Sequence, residues 1–378
     1  MTVLSISETR PPDSTSLAGD NAEAISIGGR LVSPQSPPLI VAEAGINHNG
    51  SMEMALRLIS AAKRAGADAI KFQTFSTAHC ESRYAVKPDY FSGRDSGLSK
   101  HDFSRRLEFD KRQFGDLRAC CEDNGILFLS MAADEPSLEL LVSVGVAAVK
   151  IGSSDTVNYP LFKAIGETGL PVIYSTGISS FDDVANGVDY LRGAGVREMA
   201  VLQCTSQYPV PYGEVNLRAM KTFRRAFGVP VGLSDHSHGI HVAIAAAACG
   251  ASIIEKHFTL SRQLPGVDHA ASIEPDELAQ LVCQVREVTA ALGDGTKRIE
   301  VSEAEHLATM RKSLFSMRDI RRGERITRRH IAAKRPGGGI LPTAIDRVLG
   351  RRAVVDIPAD EFITWDMLTT EDGIQVAT

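Results

Sequence analysis

Residues 231–257, VGLSDHSHGIHVAIAAAACGASIIEKH, decide the fold. Val231–Ser234 and Ile253–His257 are short apolar runs of strand type. Between them Ile240–Cys249 is an apolar, Ala-rich stretch of helical length. A strand, a helix and a second strand in this order form a parallel pair joined by a crossover helix. Both runs end in charge, the first in Ser234-Asp235-His236 and the second in Glu255-Lys256-His257.

The same unit recurs in both directions along the chain. Strand-like runs occur at Leu39–Glu43, Ala69–Gln73, Leu127–Ser130, Ala148–Ile151, Val172–Ser175 and Met199–Gln203. Amphipathic helical stretches lie between them at Met52–Ala65, Lys111–Asn124, Ser137–Val144, Phe181–Ala194 and Asn216–Phe227. Gly66, Gly125 and Gly195 stand where helices would stop. Eight such strands in about 220 residues, alternating with helical stretches, predict an α/β TIM (β/α)8 barrel, with a doubly wound open sheet as the competitor.

Chemistry in such a barrel sits at the C-terminal strand ends. Those ends carry Glu43, Lys71, Gln73, Ser130, Lys150, Ser175, Gln203, Ser234, Asp235, His236, Glu255, Lys256 and His257. A lysine inside an apolar strand needs a partner. Lys71 and Lys150 therefore suggest an anionic ligand; a Schiff-base lysine and a plain Lys71–Glu43 ion pair remain open. The loops Gly152-Ser153-Ser154 and Ser175-Thr176-Gly177 offer N–H and hydroxyl groups to an oxyanion. His236 and His257 end adjacent strands, and two neutral imidazoles suit Mn²⁺, Zn²⁺ or Fe²⁺. The alternative is a pair of hydrogen-bonded scaffold histidines. Asp268 is a further carboxylate close by in sequence. The long connection from Phe75 to Leu107 reads as a lid or as a solvated insertion.

Composition sets outer limits. The chain has 378 residues, 43% hydrophobic and 23% charged, enough for a large domain and a small one. Residues 1–34 are rich in polar and small residues and are expected to be a disordered arm without signal-peptide character. The six cysteines show no CxxC pairing and are expected as buried free thiols in a reducing cytoplasm. No run is long enough to span a membrane. The net charge is −5, yet residues 311–352 hold 13 Lys/Arg against 3 Asp/Glu. This local +10 leaves −15 elsewhere and raises a nucleic-acid reading. Only Phe315 is aromatic in that window, which argues against single-strand binding by stacking.

Taken in order, several motifs resemble the sialic acid synthase family. They are Val41–Gly50, Gly66–Thr74, Lys150–Asp155, Tyr174–Gly177, Cys204–Pro211, Gly232–Ser237, Glu255–Thr259 and Pro265–His269. Arg311–Leu314 and Lys334–Ile340 resemble that family's C-terminal antifreeze-like (SAF, β-clip) domain. The resemblance implies a barrel over 35–293, a linker over 294–310 and the SAF domain over 311–378. It implies a cytoplasmic transferase that condenses phosphoenolpyruvate with an N-acylated amino-sugar aldehyde, giving a nine-carbon 2-keto acid and phosphate. Glu43, Lys71 and Lys150 match the catalytic positions. Gln73, Ser153, Ser175, Ser206, Tyr208, Ser234 and Asp268 match substrate-binding ones. A divalent metal, Mn²⁺ or Mg²⁺, would be held by His236 and His257. Arg335 would reach a partner's barrel in a domain-swapped homodimer, with no nucleic acid and no membrane involved. Two positions depart from the pattern. Met131 replaces a threonine that usually contacts phosphoenolpyruvate, and Gln203 stands where histidine is common. Another metal-dependent phosphoenolpyruvate-condensing barrel, or a weakly active carbohydrate-binding homologue, are the alternatives.

Overall fold

The computed structural model describes residues 24–87 and 97–369. They form two compact units, divided between Gly293 and Asp294.

The first unit is a closed barrel of eight parallel strands. After a short hairpin, β1 (Ile25–Ile27) and β2 (Arg30–Val32), the barrel strands follow in chain order. They are β3 (Leu39–Gly45), β4 (Ala69–Thr74), β5 (Leu127–Ala132), β6 (Val149–Ile151), β7 (Val172–Ser175), β8 (Met199–Cys204), β9 (Val231–Asp235) and β10 (Ile253–His257). Each pairs with its sequence neighbour, and β10 closes the ring on β3. The open-sheet competitor is excluded.

Local signals set the helix ends. Ser51 accepts from Met54 N at the start of Met52–Arg64, and Asp110 with Gln113 forms a capping box at Lys111–Asn124. Gly125 ends the latter helix in the left-handed conformation, at φ 62°. Helix Glu135–Val144 starts earlier than its apolar pattern suggests, because Asp134 caps it and proline occupies the first turn. Helix Ala219–Phe227 starts later than expected, after Asn216, whose φ of 51° is not helical.

Residues alternate along the strands between two cores. Ile40, Ile70, Phe128, Val149, Val201, Leu233 and Ile254 pack outward under the helices. Leu39, Val41, Ala69, Leu129, Ile173, Leu202 and Ile253 fill the interior. Ile25, Ile27 and Val32 of the hairpin join the interior set and cork the N-terminal end of the barrel. The disordered arm expected through residue 34 therefore does not extend that far; its first part, residues 1–23, lies outside the described residues. Gly28 and Gly29, both at positive φ, make the two-residue turn that lets the hairpin close.

The second unit is built on an antiparallel pair, β11 (Ser313–Ser316) and β12 (Ile331–Lys334). Leu314, Ile320, Ile326, Ile331, Ile340, Val348, Ile357 and Ile363 form its separate core. Short helices Val301–Ala304 and Leu307–Met310 precede it.

Candidate active site

The alternation that builds the barrel also sorts the charged strand ends. Glu43, Lys71, Gln73, Lys150, Ser175, Ser234, His236, Glu255 and His257 share the parity of the interior residues. Ser130, Gln203, Asp235 and Lys256 share the parity of the outward core. The expected convergence therefore holds for nine of the thirteen strand-end residues and fails for four. Lys256 pairs instead with Asp235 at 2.8 Å and donates to Ser237 O. Ser130 lies 2.8 Å from Thr74 Oγ1. Gln203 donates to Val215 O, so its departure from the family pattern faces the helix layer. A cavity of about 500 Å³ on that side is lined by Thr176, Phe181, Gln203, Thr205 and Phe223, and lacks the interior charges.

Inside the mouth four charged side chains are nearly solvent-free: Glu43, Lys71, Lys150 and Glu255. Lys71 Nζ lies 2.6 Å from Glu43 Oε2 and 3.7 Å from Glu255 Oε1. Lys150 Nζ lies 3.5 Å from that same Glu255 oxygen, which also accepts from Ser234 Oγ at 3.2 Å. Gln73 donates to Glu43 Oε1. The plain Lys71–Glu43 ion pair is therefore real, within a larger cluster. Burial pushes the Glu43 carboxyl up to about 7, against the pull of Lys71. Burial works against the Lys71 charge too, but Glu255 and Glu43 outweigh it and hold its pKa above the usual lysine value. For Lys150 burial wins and the pKa falls, with Glu255 opposing. Glu255 itself resists burial and stays below the ordinary carboxylate value because of Lys150 and Lys71.

Three loops meet beside these lysines. Ser153 Oγ accepts from Gly177 N at 2.9 Å. A Cβ on Gly177 would collide with the hydroxyls of Ser206 and Ser153, so only glycine permits this approach. Met131 faces inward, paired with Gln73 on one side and Lys150 on the other, and packs its sulfur against Gly152.

His236 and His257 come together as expected, with ring centroids 5.4 Å apart, and Tyr208 contacts both rings. His236 Nδ1 donates to Thr205 O at 2.8 Å, leaving Nε2 as its free lone pair. His257 Nδ1 is buried with no hydrogen-bond partner; Asp268 Oδ2 lies 3.9 Å away. Two imidazoles with unused nitrogens fit a divalent cation that takes its remaining ligands from water or substrate. Among the described residues, no cluster of three or more His, Cys, Asp or Glu side chains is arranged to hold a metal. The hydroxyl of Ser175 and Glu255 Oε2 are likewise buried without a hydrogen-bond partner, as at a site built to receive polar groups.

Asp268 is held in place by its loop. Ser272 Oγ donates to Asp268 O, and His269 bridges Thr259 Oγ1 and Asn49 Nδ2. Arg335 belongs to the second unit, where its side chain is exposed just past β12. The six cysteines are all unpaired, but only Cys121 and Cys204 are buried; Cys80, Cys249 and Cys283 are exposed, which corrects the expectation of buried thiols. No described helix is long and apolar enough to cross a membrane. In the sequence Glu255 is one of thirteen polar strand-end residues, with nothing in its residue type to set it apart. Its central place follows from strand pairing, and the signal was its parity with His257.

Known proteins resemble this chain in sequence and fold. The NeuB family model matches residues 58–297, and the SAF domain model matches 311–369. The chain is 38% identical to the N,N'-diacetyllegionaminic acid synthase of Campylobacter jejuni, over 86% of this chain and 98% of that protein. It is 34% identical to the human N-acetylneuraminate-9-phosphate synthase, over 90% and 95% of the two chains. The crystal structure of a sialic acid synthetase from Leptospira borgpetersenii superposes with a TM-score of 0.67 at 35% identity, covering 75% of this chain and 95% of that one. The chain belongs to the NeuB family of sialic-acid-type synthases and carries a C-terminal SAF domain.

Proposed function

We propose that this enzyme condenses phosphoenolpyruvate with an N-acylated amino-sugar aldehyde and water, releasing phosphate by C–O cleavage and forming a nine-carbon 3-deoxy-2-keto acid. One observation carries the reading: two buried lysines meet at the barrel mouth beside the hydroxyl loops of Ser153 and Ser175. A ligand with both a phosphate and a carboxylate satisfies such a pair, and phosphoenolpyruvate has both.

In this reading Lys71, Lys150, Ser153, Ser175 and Ser234 bind the donor. Gln73, Ser206, Tyr208 and Asp268 orient the acceptor. Glu43, with its pKa near neutrality, holds a proton close to Lys71 and passes it to the acceptor oxygen as the new C–C bond forms. His236 and His257 would hold a divalent cation, Mn²⁺ or Mg²⁺, which when bound polarises the aldehyde oxygen. Arg335 contacts the acceptor's acylamino group from the partner subunit of a homodimer. Six unpaired cysteines support a cytoplasmic setting. The relatives' products favour acceptors such as N-acetylmannosamine or a 2,4-diacetamido-trideoxyhexose.

The test is direct. Purified protein is incubated with phosphoenolpyruvate, Mn²⁺ and a panel holding both acceptors and their phosphorylated forms, and phosphate and 2-keto acid are assayed. Equal release of the two products supports the reading, and no turnover with any acceptor rejects it. His236→Ala should stay folded and lose metal-dependent turnover.

A further inference from the structure

We propose that Glu255 is the positioning residue that holds Lys71 and Lys150 as a pair, a role that rests on the donor-binding reading of those lysines. A single oxygen, Oε1, has both ammonium groups and the Ser234 hydroxyl around it, at 3.7, 3.5 and 3.2 Å. The three donors come from three strands, β4, β6 and β9, while Glu255 stands on a fourth, β10. The two lysines are not equivalent. Lys71 has Glu43 as well, at 2.6 Å. Lys150 has only Glu255 as an ion-pair partner among the described residues, together with a long contact to Ile151 O at 3.4 Å.

A buried ammonium on a four-carbon stem does not keep one place without a fixed counter-charge. Glu255 supplies it from the rigid wall of the barrel, where it pairs in register with Val41 and Ser234. Its second oxygen is buried and has no hydrogen-bond partner, so the carboxylate is oriented by the donors on Oε1 alone. Glu255 therefore fixes the spacing of the two cations, and through it the placement of a ligand that spans them. Removing its charge also makes the site more positive. This would strengthen the pull on an anion while loosening the geometry, so affinity and turnover should move apart.

Glu255→Gln preserves shape and the acceptor for Ser234. With it, kcat should fall at least about tenfold, since a displacement of about 1 Å at a reacting group is this costly or more. KM for phosphoenolpyruvate should stay level or fall. Glu255→Asp should recover part of kcat. Unchanged kcat in Glu255→Gln overturns the proposal, whether or not KM shifts. If Glu255→Gln does not fold by circular dichroism, Glu255→Asp is judged by the same split. A crystal structure of the variant decides independently of turnover. Lys150 displaced from its wild-type position supports the role, and both lysines unmoved overturn it. Absence of turnover in the wild-type enzyme would reject the reaction, and this crystallographic result would still decide the positioning role.

Discussion

Lys71 Nζ and Glu43 Oε2 sit 2.6 Å apart on neighbouring strands, both side chains almost wholly removed from water. Breaking such a pair from one side leaves the remaining group buried, either charged without its partner or driven to change protonation. Lys71→Met should therefore destabilise the barrel by about 3 kcal/mol in denaturant unfolding, and the double variant Glu43→Gln/Lys71→Met should regain part of that loss. Additive losses in the two single variants would show that the pair is not coupled.

His48 supplies a pH dependence of stability. It is buried against Phe109, with ring centroids 4.2 Å apart, and burial lowers its pKa from 6.5 to about 4. The unfolded chain takes up this proton near 6.5, and the folded one only near 4. The contribution is thus complete above about pH 6.5 and is lost as the pH falls toward 4, by up to about 3 kcal/mol. Comparing unfolding free energies of wild type and His48→Gln across this window isolates it. Parallel curves for the two proteins would contradict the assignment.

Met131 sits between Gln73 and Lys150 on the inner face of the wall. Replacing its thioether with a hydroxyl adds a donor at the proposed phosphoenolpyruvate subsite. Met131→Thr should lower KM for phosphoenolpyruvate by about threefold to tenfold, the worth of one modest hydrogen bond, and leave KM for the acceptor unchanged. A change confined to the acceptor would assign this position to the other substrate.

Arg335 is exposed on the second unit, and in the proposed dimer it serves the partner's barrel. Arg335→Ala and Lys150→Ala should each be nearly inactive. Mixed and allowed to exchange subunits, they should regain activity toward about a quarter of wild type, because half of the dimers then hold one intact composite site. Mixtures as inactive as their parents, despite exchange seen by native mass spectrometry, would place Arg335 in its own subunit's chemistry or in none.

The strands were legible because buried parallel strands are continuous apolar runs, and every one of the eight was present in the sequence. The lysines stood out for the same reason, as charges where charge is costly. Less legible was which of two adjacent polar residues faces inward. Glu255 and Lys256 look alike in residue type; their parity with the core residues of the strand separates them, and the pairing of Lys256 with Asp235 agrees with it. The hairpin at residues 25–32 was hidden by the polar, small-residue arm in front of it. Its signal, alternating Ile-Ser-Ile before Gly28-Gly29 and Leu-Val after, was there to be read. Exposure of Cys80, Cys249 and Cys283 depended on helix and loop placement, which composition does not carry.

The corked floor of the barrel has a kinetic consequence. With Ile25, Ile27 and Val32 packed into the interior core at one end, the described residues leave the C-terminal strand ends as the way to the lysines. Reactants and products must share it, so whatever lingers at the lysines keeps the next turnover waiting. In the proposed reaction, inorganic phosphate and the sugar-acid product should therefore compete with the incoming donor for passage as well as for contacts.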